Sequence, residues 1–237
     1  MTATIRFIGS GDAFGSGGRF QTCILVDAGG VRFAMDFGAS SLISLRQQGI
    51  DPNSIDVVLI SHLHGDHCGG VPYLILDAML GAKRERPLVV AGPKDVETRL
   101  YAIQEALFPG MHSMTPKFDL TWIELAPGEP VEIGKLKVTA RPIRHVPETH
   151  PTALRSEIDG SVICYTGDGE FGEEMALAAK GADLLIAESY FYLKPVPLHL
   201  NYLDLVAHKD EFGAKRIILT HMSPEMLAHA DDVPEEC

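Results

Sequence analysis

The sequence predicts an α/β chain folded as an αββα sandwich, two mixed β-sheets flanked by helices. Three observations predict it. Short apolar runs of strand length recur from end to end. Segments with helical patterning separate them. The order of strands followed by helices occurs about once in each half, as two packed sheets with helices outside require.

In the first half, apolar runs fall at 5–8, 23–26 and 31–35, and Asp27-Ala28-Gly29-Gly30 reads as a hairpin turn between the second and third. The run at 55–60 is apolar except for Asp56 and rich in β-branched residues, the signature of a strand buried on both faces. Runs at 88–91 and 120–125 follow, with helical patterns at 40–48, 72–80 and 93–108. The second half repeats the theme, with strands at 131–133, 136–140, 162–165, 184–187 and 217–220 and helices at 172–180, 202–212 and 224–229. The stretch 109–117 carries Gly, Met, His, Ser and Pro without periodicity and is expected as a mobile flap beside a functional site. Neither low-complexity sequence nor a short repeat interrupts the chain, so residues 1–237 are expected to form one domain.

With 46% hydrophobic and 22% charged residues the composition is that of an ordinary globular protein able to bury a large core. A net charge of −12 argues against a protein that grips duplex nucleic acid by neutralising phosphates. The one basic cluster, Lys83, Arg84 and Arg86, is interrupted by Glu85. A small anionic substrate held by a local cation remains compatible with the acidity. Cys23, Cys68, Cys164 and Cys237 are widely spaced and form no disulfide framework. Cys23 and Cys164 lie in apolar runs, and Cys68 is expected as a small packing residue. The opening residues lack a charged start followed by an apolar stretch, so no signal peptide is expected. No apolar run approaches the ~20 residues that span a bilayer. The expected location is the cytoplasm, without membrane contact.

The chemistry is concentrated in Ser61-His62-Leu63-His64-Gly65-Asp66-His67, directly after the apolar run at 55–60. Three imidazoles and a carboxylate so close together offer nitrogen and oxygen ligands suited to zinc or a similar ion. One ion cannot easily collect all four side chains. The natural division places His62 and His64 on one ion and Asp66 and His67 on a second, with Gly65 allowing a tight bend between them. Two ions need further ligands, and His145, Asp168 and His221 each lie just past a predicted strand, where loops gather at one sheet edge. His150, five residues beyond His145, is the competing candidate for the third ligand of the first ion. Gly9-Ser10-Gly11 and Gly15-Ser16-Gly17-Gly18 read either as backbone that approaches a phosphate or as connecting loops. Trp122 is expected in the core, and one ring of Tyr190-Phe191-Tyr192 is expected to face substrate.

These residues resemble the metallo-β-lactamase superfamily. The likeness rests on His62-x-His64-x-Asp66-His67, His145, Thr166-Gly167-Asp168 and His221, with Phe7-Ile8-Gly9-Ser10-Gly11 at the start, and extends over nearly the whole chain. Within the superfamily it is most similar to the ribonuclease Z and small phosphodiesterase branch, through Glu188 in Ala187-Glu188-Ser189, His199, and Leu219-Thr220-His221. The resemblance implies the metallo-β-lactamase fold and two divalent ions, zinc first, with manganese or iron as alternatives. His62, His64 and His145 would hold the first ion, Asp66, His67 and His221 the second, and Asp168 would bridge them. His199, supported by Glu188, would donate a proton. The implied enzyme is a metal-dependent hydrolase, a phosphodiesterase whose nucleophile is a hydroxide bridging the ions. The alternatives are a carbonyl-ester hydrolase (lactonase, thioesterase or β-lactamase-like) and a non-catalytic metal-binding protein. Asp168-Gly169-Glu170 departs from the Asp-Thr of many relatives, and no long Gly/Pro/Lys-rich arm for tRNA is visible. A small phosphodiester is therefore the expected substrate. The oligomeric state is open between monomer and homodimer.

Overall fold

Period-two alternation sorts the apolar strand residues into three layers of core, and the computed structural model, which describes residues 3–233, shows how. The first sheet takes its strands in chain order: β1 (Thr4–Gly9), β2 (Cys23–Ala28), β3 (Val31–Met35), β4 (Val57–Leu59), β5 (Leu88–Gly92) and β6 (Leu120–Glu124). β1 to β3 are antiparallel and β3 to β6 parallel. The second sheet contains β7 (Pro130–Ile133), β8 (Leu136–Pro142), β9 (Thr152–Ile158), β10 (Ser161–Tyr165), β11 (Leu184–Glu188) and β12 (Ile217–Thr220). Here β7 to β10 are antiparallel and β10 to β12 parallel. Both sheets are mixed, as the sequence predicts.

Successive side chains on a strand point to opposite faces. Ile24 and Val26 of β2 therefore join Ile163, Tyr165 and Ile186 in the layer between the sheets. Cys23 and Leu25 face outward, into a second layer with Leu45 of α1 (Ser41–Gln47), Leu74 of α3 (Val71–Leu76) and Leu100 of α4 (Val96–Leu107). A short α2 (Gly65–Cys68) precedes α3. On the far side, Cys164, Leu185 and Ala187 pack against Met175 of α5 (Glu173–Ala179) and against Leu205 and Phe212 of α6 (Tyr202–Phe212). A final short α7 (Pro224–Ala228) follows β12. Strands buried on both faces are continuously apolar, which is why these runs were legible.

The β2–β3 hairpin closes through Gly29 and Gly30, whose φ of 57° and 82° meet the two-residue turn's need for positive φ at both positions. Two readings of the sequence are corrected. β9 was not foreseen: in Thr-Ala-Leu-Arg-Ser-Glu-Ile the polar Arg155 and Glu157 interrupt the apolar run, yet the strand lies between β8 and β10. Arg155 remains satisfied there, donating to Ala178 O and Lys180 O at 2.9 and 2.8 Å. The stretch 109–117 is not a flap at the site. Met111 and Phe118 anchor it in the core beneath α4, and none of its described residues lines the cavity described below. The fold splits the basic cluster, leaving Lys83 and Arg86 exposed. Arg84 is buried and donates to the carbonyls of Asn53, Ile55, Arg86 and Pro87, and Arg86 pairs with Asp56. Among the described residues no helix is long and apolar enough to cross a membrane. Cys237 lies outside the described residues.

Candidate metal centre

Parallel strands deliver their C-terminal ends to one edge, and in this sandwich the two sheets share that edge. The 61–67 segment follows β4, His145 follows β8, Asp168 follows β10, Glu188 ends β11 and His221 follows β12. The edge is stitched by Ser61, whose carbonyl accepts from Thr152 N and Thr152 Oγ1 at 3.0 and 2.8 Å. Loops outside the carboxyl ends of parallel strands are the usual place for a ligand in an α/β sheet.

Two donor groups converge there. In the first, His62 Nε2 lies 3.0 Å from His64 Nδ1, and His145 Nε2 lies 3.2 Å from the same atom. In the second, His67 Nε2 is 3.3 Å from Asp66 Oδ2 and 3.2 Å from Asp168 Oδ2, and His221 Nε2 is 3.3 Å from each carboxylate. Asp168 Oδ2 also sits 4.0 Å from His62 Nε2, so it reaches toward both groups. His150 is elsewhere: its Nε2 is 3.5 Å from Asp95 Oδ2. Of the two candidates, His145 is the one the structure brings to His62 and His64.

These spacings fit a cation. Zinc–nitrogen bonds of ~2.0–2.1 Å arranged tetrahedrally place neighbouring ligand atoms roughly 3.3 Å apart, close to the 3.0–3.3 Å separations here. The buried atoms His67 Nε2 and Asp168 Oδ1 have no hydrogen-bond partner within the protein. Leaving such groups unsatisfied costs about 1–3 kcal/mol each, and an ion between them would offset that cost.

The electrostatics divide the groups. Burial lowers His62 well below the ordinary histidine range, and His67 adds to the effect. Burial also lowers His64, with His145 contributing. His62 and His64 therefore favour the neutral, ligand-ready imidazole. In the second, burial opposes the charge on His67, but Asp168 and Asp36 outweigh it and raise that imidazole well above 6.5. His221 is likewise held up to about 10 by Asp168, Asp66 and Glu188 against its burial. Asp66 and Asp168 are lowered despite burial, by His221 and His67.

Two of the donor rings, His67 and His145, are also fixed from behind. Asp36, fully buried at the end of β3 with φ 60°, accepts from Ser61 N, Ser61 Oγ and His67 Nδ1 at 2.7, 2.8 and 2.6 Å. His145 Nδ1 donates to Leu198 O at 2.6 Å. Asp36 was missed in the sequence. Its signal was its place directly after the apolar run at 31–35, the same place that marked Asp168 and His221.

His199 and Glu188 also meet at the site. His199 Nδ1 lies 2.5 Å from Glu188 Oε1, while Glu188 Oε2 accepts from Gly169 N and Leu200 N at 2.9 and 3.2 Å. Glu188 is fully buried. Burial opposes the charge on His199, but Glu188 prevails and raises it. Gly169 is required by close packing: a Cβ there would stand 2.8 Å from the Ile143 side chain and 3.0 Å from Arg144 O. Glu170 then ties the turn down through Leu198 N and Arg144 at 2.7 and 2.9 Å.

A cavity of about 320 Å³ opens over this floor, with His64, Asp66, His145, Asp168, His199 and His221 among its lining residues. Tyr190 is the member of the 190–192 run that lines it, stacking 4.8 Å from His199. Tyr192 instead stacks on Tyr202 and His229. Trp122 packs against the outer core and donates Nε1 to Tyr101 OH at 3.2 Å. Cys68 is a buried core residue outside the donor groups. The first glycine segment serves loop closure, since a Cβ on Gly9 would lie 1.9 Å from Gln21 O.

The chain is 29% identical over 195 residues to an uncharacterized protein of Mycobacterium leprae, a match covering 80% of this chain and 66% of that one, about two thirds of the relative's length. It is 27% identical over 270 residues to ribonuclease Z of Methanothermobacter thermautotrophicus, covering 92% and 86% of the two chains. Among solved structures it is similar to human tRNase Z, short form, with a TM-score of 0.79 at 21% identity over 95% of this chain and 94% of that chain. It is also similar to the metallo-β-lactamase fold protein YhfI from Bacillus subtilis, with a TM-score of 0.75 at 24% identity over 93% and 86%. The fold is thus the metallo-β-lactamase fold, in the ribonuclease Z-like branch. The family described as anti-Pycsar protein Apyc1 matches residues 3–235, which take in every donor residue above, and this chain belongs to that family.

Proposed function

We propose that this chain is a metal-dependent phosphodiesterase acting on small anionic substrates. One observation carries the reading: two donor groups share Asp168 on the floor of a cavity that also admits His199. His62 Nε2, His64 Nδ1 and His145 Nε2 would hold one divalent ion. Asp66, His67 and His221 would hold a second, with Asp168 between them. When bound, such an ion pair lowers the pKa of water from ~16 toward ~7 and stabilises charge on both oxygens of a displacement at phosphorus. Zinc suits this nitrogen and oxygen donor set, and manganese or iron would also be accepted. The ribonuclease Z relatives, by their name, act on RNA, a phosphodiester.

The protein's own residues supply the rest. Asp66 and Asp168 would bring two negative charges, and Asp36 behind His67 a third, to a floor that would carry four positive ones, so the donor floor would keep a positive balance that attracts an anionic phosphate. At ~4 Å and an effective dielectric of ~20, one charge pair contributes about 4 kcal/mol. The surface carboxylates behind the net charge of −12 are screened over ~8 Å. Glu188 holds His199 Nδ1 and raises the ring's proton affinity, so Nε2–H would donate to the departing alkoxide. Such proton donation typically gives 10²–10⁴-fold.

The test is hydrolysis of bis(p-nitrophenyl) phosphate by zinc- or manganese-loaded protein, beside a lactone and a thioester. Turnover confined to the phosphodiester is the expected outcome. Turnover of the lactone or thioester alone would replace this reading with a carbonyl-ester hydrolase. His199→Ala is expected to lower kcat by about 10²-fold or more with metal content intact, and an unchanged rate would remove the proton-donor role.

A further inference from the structure

The cavity has a polar floor and an apolar rim, and the rim is dominated by one ring. Phe14 lines the mouth while 82% of its surface is exposed, more than any other large hydrophobic side chain among the described residues. Ala13, Val146, Pro197 and Leu198 continue the apolar border, and Tyr190 stands deeper.

The loop bearing Phe14 is pinned from below. Asp12, fully buried, accepts from Ser16 N at 2.9 Å and Ser16 Oγ at 2.6 Å. Gly11 N donates to Phe20 O at 2.8 Å, Thr22 Oγ1 to Gly11 O at 3.2 Å, and Gln21 Nε2 to Ala13 O at 3.4 Å. Gly11 permits this closure, because a Cβ there would stand 2.9 Å from Arg19. The ring is thus held out over the site by a built loop, and exposing an aromatic ring in this way forgoes the stabilisation that burial would give.

We propose that Phe14 is a specificity-determining residue whose ring packs against a planar aromatic substituent of the substrate while the phosphoryl group sits on the polar floor. The inference rests on the phosphodiesterase reading of the same site. An anion attracted to the donor floor leaves only its organic substituent at the rim, where the surface offered is apolar and aromatic. Offset or edge-on ring packing rewards a planar partner beyond simple area burial. A cavity of about 320 Å³ suits a small ligand.

The experiment is calorimetric binding of phenylphosphonate, cyclohexylphosphonate and methylphosphonate, whose P–C bonds resist hydrolysis, to the zinc-loaded full chain. Wild-type protein is expected to bind phenylphosphonate about 10-fold tighter than methylphosphonate, with cyclohexylphosphonate between them. Phe14→Ala is expected to bring the phenyl-to-methyl ratio within about 2-fold, and Phe14→Trp to retain it. A wild-type ratio near one, or no binding, overturns the proposal. So does a ratio unchanged in Phe14→Ala, whether or not the oligomeric state changes. Bis(p-nitrophenyl) phosphate hydrolysis on the same preparations separates the two readings. An intact phenyl preference without turnover supports the rim and sinks the phosphodiesterase, whereas turnover with a flat ratio sinks the rim alone.

Discussion

Replacing Asp36 with asparagine removes a buried carboxylate that does not line the cavity. The side chain is fully buried and makes three short contacts, with Ser61 N, Ser61 Oγ and His67 Nδ1. Asparagine keeps the shape and is among the residues that tolerate the left-handed backbone found here at φ 60°. Fold and loop path should therefore survive. What changes is the partner of His67. A carboxylate oxygen accepts the Nδ1 proton and leaves Nε2 free to face an ion. An amide offers one acceptor oxygen and a donor NH₂, so either Ser61 or His67 loses its partner. A hydrogen bond to a charged group contributes about 1.5–3 kcal/mol, and loss of such an orienting contact behind a metal ligand typically costs 10–100-fold in metal affinity or activity. Asp36→Asn is thus expected to weaken the second ion by about 10–100-fold, measured by competition with a chromophoric chelator. The melting temperature of the metal-free protein serves as a control for folding. A folded variant whose metal affinity stays within about 3-fold of wild type would refute the reasoning.

Three further outcomes follow from the charges. His67 and His221 are raised above the ordinary histidine range, so at pH 7 they carry protons that a metal must displace. Filling the second site should release about two protons, read as buffer-dependent enthalpy in calorimetry, and its apparent affinity should climb with pH; proton-neutral binding at pH 7 would contradict this. Cys23, Cys68 and Cys164 are buried, and burial pushes each thiol up to about 12. They should resist a thiol reagent at pH 8 until the chain unfolds. Because unfolded thiols titrate near ~8.5, the stability tied to them is fully present below that pH and is lost toward pH 12, at roughly 1.4 kcal/mol per pH unit per thiol; a flat denaturation midpoint from pH 8 to 10.5 would count against it. Glu188 raises His199, so the alkaline limb of the rate profile should lie above the ordinary histidine range, and Glu188→Gln should move it to lower pH. An alkaline limb that does not move would show that Glu188 does not set the proton affinity of His199.

Much of this site was readable because each donor follows an apolar run. His62 to His67, Asp168 and His221 all sit where a buried strand stops, and parallel strands must deliver those stops to one edge. Asp36 obeyed the same rule after β3 and was passed over, because a lone aspartate there reads as a turn residue until His67 is seen behind it. β9 escaped because Arg155 and Glu157 broke its apolar pattern, although the neighbouring carbonyls satisfy Arg155 in place. The stretch 109–117 looked mobile from Gly and Pro alone. Its anchors, Met111 and Phe118, count only once α4 supplies the surface they bury against. Phe14 carried no signal at all in the sequence, since exposure is a property of the folded loop.

In the proposed function, strand ends far apart in the chain would jointly grip a pair of ions. Native mass spectrometry of the zinc-dialysed protein tests it most directly. Two ions per wild-type chain, and one in His221→Ala, are the expected masses. A wild-type chain that retains no zinc, or a His221→Ala chain that still carries both ions, would contradict the account.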